Sequence, residues 1–206
     1  MRTRVKVCGI TNEQDAYAAI EAGADALGFI AYKKSPRYVN YEVIGSWLEK
    51  LPPFVTKVGV VVNETISQLQ DWQKKFPIDA WQFHGSETAQ FIAQVKGIKK
   101  IKAFSMSREF SHAQVRDYEV DAFLLDTPSE SYGGSGKTFD WELATKFRDR
   151  METPIILSGG LSCENIVRAI EEVQPYAVDV NSGVESEPGK KDVTKLREFF
   201  RLAQSV

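Results

Sequence analysis

The residues best suited to chemistry in this chain are one thiol and one carboxyl group, each placed at the end of an apolar run. Cys8 closes Arg4-Val-Lys-Val-Cys8 and is followed by Gly9 and a Thr11-Asn12 helix start. A thiolate at such a place takes a carbon-bound proton or attacks a carbon, and a helix N-terminus favours the ionised form. Asp126 follows Ala122-Phe-Leu-Leu125, so an ionisable group stands directly beyond a buried strand. Partial desolvation there favours the neutral acid, which is a proton donor. Plainer readings stand beside both: free cysteine often packs as a small hydrophobe, and strand-end aspartates often cap the following loop. The glycine-rich Ser131-Tyr-Gly-Gly-Ser-Gly136 just after Asp126 favours a ligand-covering loop over a simple cap.

Two further clusters suit an anion. Gly159 and Gly160, in Ser158-Gly-Gly160, and the pair Ser182-Gly183 let backbone N–H groups approach a phosphate closely, and the following helical turns add a favourable dipole. Tight turns need glycine too, so the signal comes from finding two such loops. Arg37, in Ser35-Pro-Arg37, can fork onto a carboxylate or lie solvated in its loop. His84, in Gln82-Phe-His-Gly85, can donate to a substrate or close a network at a strand end. Cys163, early in a helical stretch, reads as structural.

The elements that must position these groups alternate along the chain. Apolar, β-rich runs lie at 5–8, 26–30, 56–62, 80–83, 98–104, 122–125, 154–157 and 177–180. Between and after them come amphipathic stretches at 12–22, 41–51, 64–76, 87–95, 109–117, 141–151, 164–173 and 193–203. Thr11 with Gln14 reads as a capping box for the first helix, which Gly23 ends; Ser86, Asp140, Ser162 and Asp192 read as further N-caps. Trp47, Trp72 and Trp141 fall on helix faces, and Trp81 alternates away from Gln82. Continuous apolar runs such as Val58-Gly-Val-Val-Val62 suit parallel strands covered by helices.

Eight β-α units in 206 residues fit an α/β chain closed as a single (β/α)8 barrel over residues 1–206. An open doubly wound sheet is the alternative. It usually places a Gly-x-Gly-x-x-Gly loop after its first strand, and Cys8-Gly-Ile-Thr-Asn12 is not one. In a barrel all the candidate residues share the rim at the carboxyl ends of the strands, and Cys8 faces Asp126 across the mouth.

Composition narrows the classes further. A hydrophobic share of 43% and a charged share of 26% are ordinary for a globular protein. A net charge of −2 argues against charge-driven binding to nucleic acid or to an anionic membrane. No apolar run approaches the roughly 20 residues of a membrane span, and the first residues lack a signal-peptide core, so the expected compartment is the cytoplasm. Two cysteines make no disulfide framework, and two distant histidines, His84 and His112, lack ligand spacing, so no metal is expected.

Taken in order, the motifs resemble the phosphoribosylanthranilate isomerase family of tryptophan biosynthesis. They are Lys6-Val-Cys-Gly-Ile-Thr11, Ser35-Pro-Arg37, Val58-Gly-Val60, Gln82-Phe-His-Gly85, Leu125-Asp126, Gly133-Gly-Ser-Gly136 with Phe139-Asp-Trp141, Leu157-Ser-Gly-Gly-Leu161 with Glu164-Asn165, Asp179-Val-Asn-Ser-Gly-Val-Glu185 and Pro188-Gly-Lys-Lys-Asp192. The match runs from the first strand to the last helix. Departures such as Phe83 for leucine and Ser135 for threonine remove no functional group.

The resemblance implies a cofactor-independent Amadori rearrangement of N-(5-phosphoribosyl)anthranilate to 1-(2-carboxyphenylamino)-1-deoxyribulose 5-phosphate. It implies Asp126 as general acid, Cys8 as general base, Arg37 at the anthranilate carboxylate, and Gly159, Gly160, Ser182 and Gly183 at the phosphate, with His84 as a further substrate-binding candidate. The expected partner is that small molecule, in a monomer or homodimer. Two other readings remain: the related isomerase of histidine biosynthesis, against which Cys8 counts because that family uses paired aspartates, and a non-catalytic phosphate sensor.

Overall fold

In a computed structural model, which describes residues 2–128 and 138–206, eight parallel strands close into a barrel in the order β1 to β8. They are β1 (Arg4–Val7), β2 (Ala26–Ile30), β3 (Thr56–Val61), β4 (Ala80–Phe83), β5 (Lys99–Ser105), β6 (Ala122–Asp126), β7 (Ile155–Leu157) and β8 (Ala177–Val180). Closure runs through β1 and β8, where Lys6 pairs with Asp179 and Val7 with Val180. Seven helices lie outside among the described residues: α1 (Glu13–Ala22), α2 (Tyr41–Leu48), α3 (Ile66–Lys75), α4 (Ala89–Gln94), α5 (Trp141–Arg148), α6 (Ile166–Val173) and α7 (Val193–Ala203).

Two-residue periodicity builds two cores from the same strands. Outward residues such as Val7, Leu27, Phe29, Trp81, Phe83, Phe123, Leu125 and Val178 join the helices in one large apolar cluster. Their alternates Val58, Ala80, Ile101, Ala122, Leu124, Ile156 and Ala177 form a separate, smaller cluster inside the barrel. Above it the inward positions turn polar, with Lys6, Gln82, Asp126, Ser158 and Asp179 all buried. That change from apolar filling to polar lining marks the floor of the site. Trp81 is fully buried on the outer face, and Trp141 packs in the same cluster, as their sequence positions suggest.

Four details differ from the sequence reading. The stretch 109–117 holds only a 3-10 turn at His112–Gln114, started by a Ser111–Gln114 capping box. It has few apolar contacts to offer a longer helix: Phe110 and Val115 anchor it, and the ring of His112 stacks on Phe147 at 4.9 Å. The first helix is capped by Asn12, whose side chain accepts from Asp15 N, while Thr11 donates its hydroxyl to Gly189 O at 2.6 Å. Thr88 and Asn165, not Ser86 and Ser162, occupy the N-cap positions of α4 and α6. After β8 a short antiparallel hairpin appears, β9 (Glu185–Glu187) with β10 (Lys190–Lys191). The Ser131–Gly136 segment lies outside the described residues.

Candidate active site

Strand ends converge on a cavity of about 220 Å3 at the carboxyl-terminal mouth of the barrel. Cys8, Arg37, His84, Asp126, Gly159, Gly160 and Ser182 all line it, and Gly183 lines the adjoining depression with Thr138, Ser162 and Asn165. Every site residue anticipated from the sequence therefore falls in one continuous region. Val60 and Ile30 supply apolar wall between the polar groups.

Cys8 extends β1, its N–H donating to Val180 O at 2.8 Å, and is 5% exposed. Burial pushes its thiol above the ordinary value, the nearby Asp179 carboxylate adds to this, and the ammonium groups of Lys6 and Lys191 pull the other way. The helix-terminus argument from sequence had put the thiol lower; desolvation outweighs it. Asp126 ends β6. One carboxylate oxygen accepts from Thr127 N at 2.8 Å, and the other stands 3.2 Å from His84 Nε2. His84 Nδ1 lies 2.9 Å from Gln82 Nε2. With the Gln82 amide donating, the imidazole carries its hydrogen on Nε2 and donates it to Asp126. His84 thus touches the acid and also faces the cavity.

Arg37 is not a solvated loop residue. It is 8% exposed, and its Nε and Nη2 fork onto Glu185 at 2.9 and 2.6 Å. Lys191 approaches the same carboxylate at 3.0 Å, its side chain fully buried. Burial works against the Glu185 charge, but Arg37 and Lys191 outweigh it and hold the carboxyl below its ordinary range. The Nε edge of the guanidinium is therefore spent, leaving the Nη1 side to meet a ligand.

At the anion end Gly159 and Gly160 have φ of +89° and +64°. Gly159 also packs so tightly that a Cβ would lie 2.6 Å from Thr127 N and 3.0 Å from an Asp126 carboxylate oxygen. No other residue lets the β7 loop sit against the β6 end. Asn165 fixes that loop from behind, accepting from Ser162 N and donating to Gly160 O, each at 2.9 Å.

Reasoning from sequence did not single out Lys6, Gln82, Asp179, Glu185 or Lys191. For Lys6 and Asp179 a signal existed: each is a charge at an inward position of a buried strand, two residues from a rim residue.

The family model for N-(5'-phosphoribosyl)anthranilate isomerase matches residues 5–202. The chain belongs to this family. The isomerase of Pelobacter propionicus is 46% identical over 204 residues, which covers 98% of this chain and 96% of that one. Monomers of the dimeric isomerase of Thermotoga maritima superpose with a TM-score of 0.88 at 40% identity, covering 99% and 100% of the two chains. A phosphoribosylanthranilate isomerase solved with reduced 1-(o-carboxyphenylamino)-1-deoxyribulose 5-phosphate gives 0.85 at 40% identity, again over 99% and 100%.

Proposed function

We infer that this chain is an N-(5-phosphoribosyl)anthranilate isomerase that performs the Amadori rearrangement of tryptophan biosynthesis in the cytoplasm, with Asp126 and Cys8 as its acid and base. What carries the assignment of roles is the pairing of a carboxyl and a thiol on different sides of one cavity with glycine-bounded loops beside it.

Asp126 gives its proton to the furanose ring oxygen, which becomes the C4 hydroxyl. The C1–O bond breaks, and the anthranilate nitrogen supplies the electron pair that makes the C1=N iminium. Cys8 then accepts the proton from C2, leaving an enolamine whose tautomerisation puts a proton on C1 and a carbonyl at C2. Burial favours the resting thiol, so the reactive form is the fraction that has lost its S–H proton to solvent, and the cationic iminium forming beside the sulfur raises that fraction. His84 holds Asp126 by its Nε2–H, the open side of Arg37 takes the anthranilate carboxylate, and Gly159, Gly160, Ser182 and Gly183 take the phosphate.

The test is turnover. Added to N-(5-phosphoribosyl)anthranilate, the purified protein is expected to abolish anthranilate fluorescence at an enzymatic rate. Its gene is expected to restore growth to a tryptophan-requiring strain lacking this step. Folded protein that does neither overturns the reading.

The proposed assembly is a homodimer through the amino-terminal face of the barrel. Phe54, in the Pro52-Pro53-Phe54 loop before β3, is 96% exposed, far more than any other large apolar side chain among the described residues. A depression where Ile78 and Ile98 lie among Gln73, Asp79, Lys99 and Asp121 opens on the same face. An isolated aromatic at a loop tip, on a face that also carries a recess, suits reciprocal insertion between two copies. Light scattering on the purified chain is expected to give twice the chain mass, and Phe54→Ser about the chain mass with activity kept. A monomeric parent protein rules the dimer out.

A further inference from the structure

We propose that Lys6 is a positioning residue for the reaction, its buried ammonium, held by Asp179 beside it on β8, setting the charge of the Cys8 sulfur. The proposal rests on the reading of Cys8 as the base. Lys6 precedes Cys8 by two residues on β1, so both point to the barrel interior. Its Nζ lies 2.7 Å from Asp179 Oδ1, and the two side chains are 4% and 5% exposed. Ser158 Oγ stands 3.5 Å from the other Asp179 oxygen.

The neighbouring strand leaves the space between ammonium and sulfur empty. At Gly28 on β2, a Cβ would sit 2.7 Å from Cys8 Sγ and 3.0 Å from Lys6 Nζ. Any side chain there would wedge between the two groups. With glycine, no side chain from β2 separates them.

Stability gives no reason for this ion pair. Buried pairs cost desolvation that their attraction often fails to recover, and apolar residues of similar volume serve as well or better. The floor of the barrel interior is filled that way, by Val58, Ala80, Ile101, Leu124 and Ile156. Lys6 and Asp179 stand as an ion pair in the polar layer above that floor.

Seven other groups act on that thiol or share its surroundings. Asp179 on β8 opposes ionisation, and Lys191 on β10 favours it, as Lys6 does. Arg37 in the loop after β2 lines the same cavity, as do Lys34, His84 and Asp126. Tyr41 at the start of α2 lies on the outer side of the barrel wall, within electrostatic reach. Lys6 is the strongest favourable charge among them, and Asp179 the strongest opposing one. The two halves of one ion pair therefore push the sulfur in opposite directions.

That opposition makes the test. In a Cys163→Ala background, the rate of Cys8 alkylation by iodoacetamide is measured against pH by mass spectrometry. Lys6→Met is expected to move the profile alkaline by about one pH unit or more, so alkylation slows about tenfold near neutrality. Asp179→Asn is expected to move it acid and speed alkylation. Lys6→Met leaves Asp179 buried and unpaired, so Lys6→Met/Asp179→Asn removes both charges and stands in if the single variant does not fold. Its profile is expected to move alkaline by less. Profiles that do not move, or singles that move the same way, overturn the proposal. Alkylation needs no substrate, so a chain without isomerase activity still answers the question; in an active one the alkaline limb of kcat/KM moves with the thiol.

Discussion

Asp126→Asn and Cys8→Ala are each expected to lower kcat by at least about 10²-fold, within the range of about 10² to 10⁴ that a positioned acid or base contributes. The asparagine keeps the shape of the carboxylate and its oxygen can still accept from Thr127 N, so the β6 end and its contact with Gly159 stay as they are, while its amide nitrogen cannot accept from His84 Nε2. What it loses is the proton that opens the ring, so the loss falls on kcat and KM changes little. Cys8→Ala removes the acceptor for the C2 proton without touching Arg37 or the glycine loops. The pH dependence carries a second signature. The thiol is raised by burial, so its base form grows as pH rises, and kcat/KM of the parent enzyme is expected to climb through neutrality toward the alkaline side. That limb disappears in Cys8→Ala. Steady-state fluorescence assays from pH 6 to 10 check both, and near-normal turnover in either variant removes that residue from its role.

The barrel was legible because its strands carry little but apolar residues where helices cover them. Runs such as Phe123-Leu-Leu125 leave no alternative to burial on both sides. The helix signal failed where it was thinnest. Over 109–117 only Phe110 and Val115 offer apolar anchors, and one 3-10 turn satisfies them. Cap assignment failed for a different reason: Thr11 and Asn12 are both competent caps, and the choice between them depends on Gly189, far away in sequence.

The site divides along the same line. Cys8 and Asp126 stood out as isolated reactive groups at strand ends, a local property. The ion pairs that hold the site did not, because Lys6 meets Asp179 across 173 residues and Arg37 meets Glu185 across 148. A sequence with glutamates and lysines on either side of Pro-Gly, as Glu185 to Lys191 is, reads as a solvated loop. Only the closing of the barrel brings Arg37 over it and dries it out.

That dried-out network bears the largest stability prediction. Glu185→Gln leaves Arg37 and Lys191 buried with no counter-charge, since both of them bond this carboxylate. Breaking a buried pair from one side costs about 3–5 kcal/mol, and here two cations lose the same partner. Urea unfolding at neutral pH is expected to show a loss of that size. The pH dependence fixes the cause. Because the folded-state carboxyl lies below its ordinary range, its contribution is complete above the unfolded value of about 4.3 and is lost as pH falls through the folded value. A protonated glutamate resembles glutamine, so the gap between parent and variant is expected to close in that acid window and nowhere above it. The same substitution frees the Nε edge of Arg37 and lets the guanidinium swing from the cavity, so KM is expected to rise more than kcat falls. A gap that persists unchanged through the acid window would assign the loss to packing around Gly189 and Thr11 instead of to charge.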